Sequence, residues 1–270
     1  MKGRTATLIL VIVLFAAGTA LGQLTKADID SLRQVGEREG WTFRVAENPA
    51  TKRPMEQLCG TRVPQNLPET PVFAPSAPAM ALPSYFDWRD QDGVTPIKNQ
   101  GGCGSCWAFA TVGVLECAIR IKDDITVDLS EQHLVSCNMD GWNCATGGWA
   151  AHDYHLINTN PSYERCECGS ITDFGPVFEV DYPYTGHDDP CSCPHVHHHE
   201  YCIQAWGQLL MDPYTQLPSV EDMKQAIMQY GPIWVCVQAD ASFSAYDGGV
   251  FNNCMEIEPG VINHAVVLVG

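Results

Sequence analysis

Residues 99–110 read NQGGCGSCWAFA, two cysteines three apart, each set among glycines and followed at once by Trp, Ala and Phe. Such a pair admits three readings: a metal clip, a redox pair, or one nucleophile beside one structural bridge. Gly101, Gly102 and Gly104 permit a tight turn, and Ala108, Phe109, Val112, Leu115, Ile119 and Ile121 predict a buried helix from Cys106 to Lys122. Cys106 then stands in the first turn of that helix. Free N–H groups and the positive end of the helix dipole stabilise a thiolate there. The same N–H groups can hold a developing oxyanion, with the side-chain amide of Gln100 as a second donor.

The compartment bears on the choice. The chain opens MKGRTATLILVIVLFAAGTALGQ, with Lys2 and Arg4 ahead of an apolar run from Leu8 to Ala17 and small residues before Gln23. This is the pattern of a secretory leader over residues 1–22, and the run is too short to span a bilayer comfortably. Export places the 13 cysteines where most should pair, leaving at least one without an intrachain partner. A metal clip and a cytosolic redox pair lose ground accordingly. Over 270 residues the formal net charge is −17, which argues against nucleic acid as a partner because little would neutralise phosphates. No membrane association is expected once the leader is removed.

Further along, Thr25 is a plausible N-cap with Asp28 three residues on, and Ile29, Leu32 and Val35 share one helical face. Positions 64–83 hold six prolines, an extended stretch suited to proteolytic cutting, and the main domain is expected to begin near Leu82. Beyond it, a helical half comes first, with a second helix over Leu129–Cys137. A half rich in β-branched residues follows: GPIWVCVQA and HAVVLVG, preceded by a short helix capped by Ser219 and running to Tyr230. Helices followed by strands predict an α+β architecture.

The segment QGGCGSCWAF resembles the active-site segment of the papain-like cysteine peptidases. LSEQHLVSC (129–137), DYPYTG (181–186), YDGGVF (246–251) and NHAVVLVG (263–270) resemble that family's later blocks, in order, from Pro83 to Gly270. The resemblance implies a two-lobe fold with a helical left lobe, an antiparallel β right lobe and the active-site cleft between them. It implies Cys106 as nucleophile, His264 as the base that forms an imidazolium with the thiolate, and Gln100 as oxyanion donor. It also implies an orienting asparagine in an N-S-W-G block after the histidine. No such block occurs, so residues 83–270 are expected to be a peptidase domain incomplete at its C-terminal side.

The same resemblance implies the disulfides Cys103–Cys144 and Cys137–Cys191, with Cys254 pairing beyond the end. Cys117 and Cys236 read as buried thiols, and the connectivity of Cys166, Cys168, Cys193 and Cys202 stays open. Where the family has C-x-G-G, this chain has CATGGW, one residue longer. Gly147 and Gly148 are expected to offer backbone groups to an extended substrate. Trp149, Cys236, Ile262 and Ala265 are expected to line an apolar pocket, although Trp149 reads equally well as a packing residue.

The stretch WTFRVAENPATKRPMEQLCGT resembles the tail of a cathepsin B propeptide. Residues 23–82 are therefore expected to be an inhibitory pro-segment with Cys59 near the cleft. CSCPHVHHHEYC (191–202) presents His195, His197, His198 and His199, which read as a polar surface insertion, as a cap on the cleft resembling cathepsin B's occluding loop, or as metal ligands. The resulting expectation is an exported, monomeric cysteine peptidase made as a zymogen, acting on peptides or proteins without cofactor or resident metal. Endopeptidase action is favoured over removal of C-terminal dipeptides. The rival is a non-catalytic module of the same fold that binds peptide or metal.

Overall fold

The structure is a computed structural model that describes residues 22–65, 71–72, 81–156, 175–191, 201–209, 217–253 and 261–270. Nearly all of the expected leader lies outside those residues, as does most of the proline-rich stretch. Cys166, Cys168, Cys193, Cys254 and the histidines 195, 197, 198 and 199 also fall outside them.

Helix α1 (Lys26–Glu39) starts with a closed capping box. The Thr25 hydroxyl accepts the Asp28 N–H at 3.2 Å and the Asp28 carboxylate accepts the Thr25 N–H at 2.8 Å. Gly40 ends the helix at φ 71°, a left-handed conformation that glycine adopts without a Cβ penalty. Strand β1 (Phe43–Val45) and the single turn α2 (Met55–Leu58) follow within the stretch that offers no periodic pattern.

The helical half is built on α3 (Cys106–Asp123) and α4 (Glu131–Cys137). The α3 residues Trp107, Val112 and Leu115 pack with Leu129, Leu134 and Tyr154 in one buried cluster. Beside it, Lys98 Nζ donates to Glu116 Oε1 at 2.8 Å, to the Leu129 carbonyl at 2.8 Å and to Glu131 Oε1 at 3.0 Å. Burial opposes the charge on Lys98, but the facing Glu131 and Glu116 carboxylates outweigh it and hold the ammonium charged. This half-buried cation ties the approach to the glycine turn to both helices, and its loss would leave the buried Glu116 and Glu131 carboxylates without a partner charge.

The second half contains α5 (Val220–Tyr230), β2 (Ile233–Val237), α6 (Ala241–Ser244), β3 (Tyr246–Gly249) and β4 (His264–Leu268). Ser219 caps α5 by accepting the Asp222 N–H at 3.0 Å. Strands β2 and β4 pair antiparallel, with Ile233 opposite Leu268, Cys236 opposite Ala265 and Val237 opposite His264. Strand β3 pairs antiparallel with β1, Phe43 opposite Gly249 and Val45 opposite Tyr246. The amino-terminal segment is thus integrated into the sheet structure of the distant half.

The β2–β4 ribbon packs on α3. Trp234 Nε1 donates to the Trp107 carbonyl at 3.4 Å, and a Cβ on Gly113 would stand 3.2 Å from Val267 Cγ2. This close approach sets the start of β4 beside the start of α3. None of the described helices is long and apolar enough to cross a membrane.

Candidate active site

The site forms where the two halves meet. Cys106 is the first residue of α3 and His264 the first of β4. Ala265 packs against Cys106 and Ala110 in one buried cluster. Asn263 holds the turn into β4: its Oδ1 accepts the Ala239 N–H at 2.7 Å and its Nδ2 donates to the Ala239 carbonyl at 2.8 Å. That double bond fixes the entry of the strand and hence the position of the imidazole. Asn263 opens the NHAVVLVG block, whose resemblance assigns a role to the histidine and none to the asparagine.

Cys106 is 1% exposed, and burial alone would raise its pKa. The hydrogen bond and charge of His264 outweigh that effect, helped by the Thr61 hydroxyl and the Ala265 N–H, and bring the thiol down to about 7. His264 Nδ1 is buried without a well-directed hydrogen bond of its own among the described residues. Two other thiols share the neighbourhood and behave oppositely. Burial, with the nearby Cys106 charge adding to it, pushes Cys59 and Cys236 up to about 12. Cys106 alone of the three is poised to ionise near neutrality.

Gln100 lies beside the same turn. Its Nε2 donates to the Cys103 carbonyl at 2.9 Å and to the Leu58 carbonyl at 3.0 Å. Cys103 is disulfide-bonded to Cys144, and Cys137 to Cys191. The additional residue after Cys144 is accommodated by Asn143, whose Oδ1 accepts the N–H groups of Ala145 and Thr146, each at 2.8 Å. Gly147 follows at φ 72°, and a Cβ there would stand 2.1 Å from the Gly60 carbonyl.

The amino-terminal segment occupies the cleft. Gly60 N–H donates to Cys106 Sγ at 3.2 Å, and Thr61 Oγ1 lies 3.2 Å from the same sulfur. The Gly148 N–H donates to the Gly60 carbonyl at 2.7 Å, and the Arg62 N–H donates to the Gly148 carbonyl at 2.9 Å. Thr61 is bridged to Gly148 in parallel and donates its own N–H to the Asn263 carbonyl at 3.0 Å. Residues 60–62 therefore run between the two halves, paired to both. Cys59, 5% exposed, sits beside them.

Among the expected pocket residues, Trp149 is 8% exposed and packs edge-on to Trp234 with ring centroids 5.0 Å apart. Cys236 and Ala265 are paired across β2 and β4, so they share one face of the ribbon. Ile262 is half-buried in the segment leading to β4. Thr61 touches the thiol and Asn263 holds the entry to the histidine's strand, roles that the WTFRVAENPATKRPMEQLCGT and NHAVVLVG resemblances do not assign to them.

Residues 82–270 match a sequence profile described as papain family cysteine protease. The chain is 29% identical over 252 residues to the thiol protease aleurain of Arabidopsis thaliana, covering 91% of this chain and 64% of aleurain. It is 38% identical over 189 residues to the viral cathepsin of Mamestra configurata nucleopolyhedrovirus, covering 70% of this chain and 48% of that protein. It thus spans less than two thirds of either relative. Among solved structures, it resembles the digestive procathepsin L2 proteinase of Tenebrio molitor larval midgut with a TM-score of 0.67 and 28% identity. That match covers 90% of this chain and 75% of the procathepsin. Helices on one side and antiparallel strands on the other agree with the α+β fold of these neighbours.

Proposed function

The chain belongs to the papain family of cysteine proteases, and we propose that it hydrolyses peptide bonds through a Cys106–His264 thiolate–imidazolium pair. The observation that carries this reading is the meeting of the α3 and β4 starts, which sets an ionisable buried thiol beside an imidazole. In the first step the Cys106 sulfur bonds to the scissile carbonyl carbon and the C=O π electrons move to oxygen. The Cys106 N–H, left without a side-chain cap, and the Gln100 amide stabilise that oxyanion. His264 gives its proton to the leaving amine as the C–N bond breaks, leaving an acyl-enzyme. His264 then takes a proton from water, whose oxygen attacks the acyl carbon. The C–S bond breaks, and the acid product and the original pair are released.

The pairing of residues 60–62 with Gly148 and Asn263 supports a zymogen in which residues 23–82 are the inhibitory pro-segment and 83–270 the peptidase domain. The Gly60 and Thr61 groups on the sulfur, with the Leu58 carbonyl on the Gln100 amide, fill the places a scissile bond would need. Gly147, Gly148, Trp149, Cys236 and Ala265 are assigned to the substrate side of the cleft, with an apolar pocket favouring a hydrophobic side chain. The leader-like start supports export, and endopeptidase action is the expected mode.

The test is the rate of iodoacetamide labelling of each thiol against pH, read by peptide mass spectrometry. Cys106 is expected to label with a midpoint near pH 7, its rate falling as the pH drops through that value, whereas Cys59 and Cys236 stay unlabelled at pH 8. A Cys106 midpoint at the free-thiol value of about 8.5 would remove the ion pair and leave the non-catalytic reading. Cleavage of a peptide blocked by a C-terminal amide then separates endopeptidase from dipeptide-removing action.

A further inference from the structure

Ser105 occupies the N-cap of α3, where a serine hydroxyl ordinarily accepts an N–H of the first turn, yet it makes no side-chain cap. Its Oγ is buried and lies 2.6 Å from the Tyr184 hydroxyl. The Tyr184 hydroxyl donates to the Gln100 backbone carbonyl at 2.8 Å. One phenolic hydrogen can serve only one of these bonds, so the chain of donors runs from Ser105 to Tyr184 to Gln100. Burial raises the phenol to about 12, which keeps its proton in place across the working range.

Tyr184 is itself held from two sides. Its N–H donates to Glu179 Oε1 at 2.7 Å, and its ring packs edge-on to Phe109 of α3 with centroids 4.8 Å apart. The two residues it ties together are the one that carries the Gln100 amide and the one that immediately precedes Cys106. The first bears one oxyanion donor of the proposed reaction, and the second adjoins the Cys106 N–H that is the other. The glycine turn between them is braced at its middle by the Cys103–Cys144 disulfide and the Gln100 bond to the Cys103 carbonyl, and Tyr184 adds a link between its two ends.

We propose that Tyr184 is a positioning residue: through Ser105 and the Gln100 carbonyl it fixes the spacing between the side-chain and backbone donors of the oxyanion site. The serine that leaves its capping position serves this clamp. This role rests on the peptidase reading above. It requires no contact between Tyr184 and substrate.

The test compares wild type, Tyr184→Phe, Ser105→Ala and the double variant as full chains, cut within residues 64–83 so that the amino-terminal segment can leave. Two probes are used. A peptide aldehyde adds the thiol across its C=O bond, sulfur to carbon and proton to oxygen, and depends on the oxyanion donors. Iodoacetamide transfers its carboxamidomethyl group to sulfur with loss of iodide and does not. Loss of one oxyanion donor costs about 10²–10³ in kcat, so a displaced donor is expected to cost about tenfold. Tyr184→Phe should weaken the aldehyde about tenfold and lower kcat similarly. KM and the pH profile of alkylation should stay within about twofold of wild type. Ser105→Ala should act in the same direction, and the double variant should be no worse than the stronger single one, as parts of one clamp are not additive.

An unchanged aldehyde affinity, or an equal fall for aldehyde and alkylation, would overturn the role of Tyr184. A wild type that reacts with neither probe would overturn the peptidase reading and this role with it. Thermal unfolding of each variant, expected within a few degrees of wild type, separates a displaced donor from a loosened fold.

Discussion

The amino-terminal segment is seated in two places, and the two seats use different physics. At β1 it is anchored by apolar surface. Phe43 is 7% exposed, stacks on Trp41 with centroids 4.6 Å apart and meets Phe251 at 4.4 Å. The pairing with β3 adds backbone bonds, and Asn48 Nδ2 donates to the Ser244 carbonyl at 2.9 Å. In the cleft, residues 60–62 offer little apolar area. They hold their place by main-chain bonds to Gly148 and Asn263 and by two polar contacts to the Cys106 sulfur. Burial of aromatic surface supplies affinity, whereas small residues with backbone pairing supply a close fit to the thiol. Separating the two lets a tight block sit on the site without a bulky side chain in it.

The comparison breaks most readily at the anchor. Phe43→Ala removes a buried aromatic group, a change that costs about 3–5 kcal/mol in a well-packed core. Inhibition of the processed enzyme by the separate amino-terminal segment is expected to weaken about a hundredfold or more, measured as an inhibition constant. If the constant barely moves, the anchor is not the source of affinity and the cleft contacts must be.

A smaller effect is expected from Gly60→Ala. A Cβ there would stand 1.6 Å from the Gly104 carbonyl, a backbone atom that cannot step aside. The cleft strand should lift from the sulfur while β1 stays paired. In the full chain, Cys106 should become about tenfold more reactive to iodoacetamide without release of the segment, given how steeply reactivity follows access. Release of the segment instead would mean that the cleft bonds carry much of the attachment.

The smallest change is Thr61→Val, which keeps the shape and removes one hydroxyl from the sulfur. With about 1 kcal/mol for such a hydrogen bond, the labelling midpoint of Cys106 in the full chain should rise by about 0.7 of a unit. A midpoint that stays at its wild-type value would assign the lowering of the thiol to His264 and Ala265 alone.

Several features were legible in the residues because they depend only on neighbours. The Thr25–Asp28 box, the Ser219 cap of α5 and the start of α3 at Cys106 are local arrangements within one helical turn. Their partners lie three or four positions away, so spacing is enough to state them. Cys106, Gln100 and His264 were named from motif blocks, and the fold brings them to one place. Strand β1 was not foreseen. It is three residues long, too short to show alternation, and its partner β3 lies about two hundred positions away.

The motif blocks and their order were sufficient to show the resemblance to the papain family and to single out one cysteine of thirteen. They could do so because the glycine turn, the helix start and the thiol are contiguous, and a helix terminus acts on the residue that begins it. Three nearby sulfurs with such different acidity are a property of packing alone. Cys59, Cys106 and Cys236 come from three distant parts of the chain, and only Cys106 has gained an imidazole to offset its burial. The diversion of Ser105 from its helix to Tyr184 belongs to the same class. A capping serine reads identically in sequence whether or not a phenol stands behind it, because the competing partner arrives from a segment nearly eighty residues away.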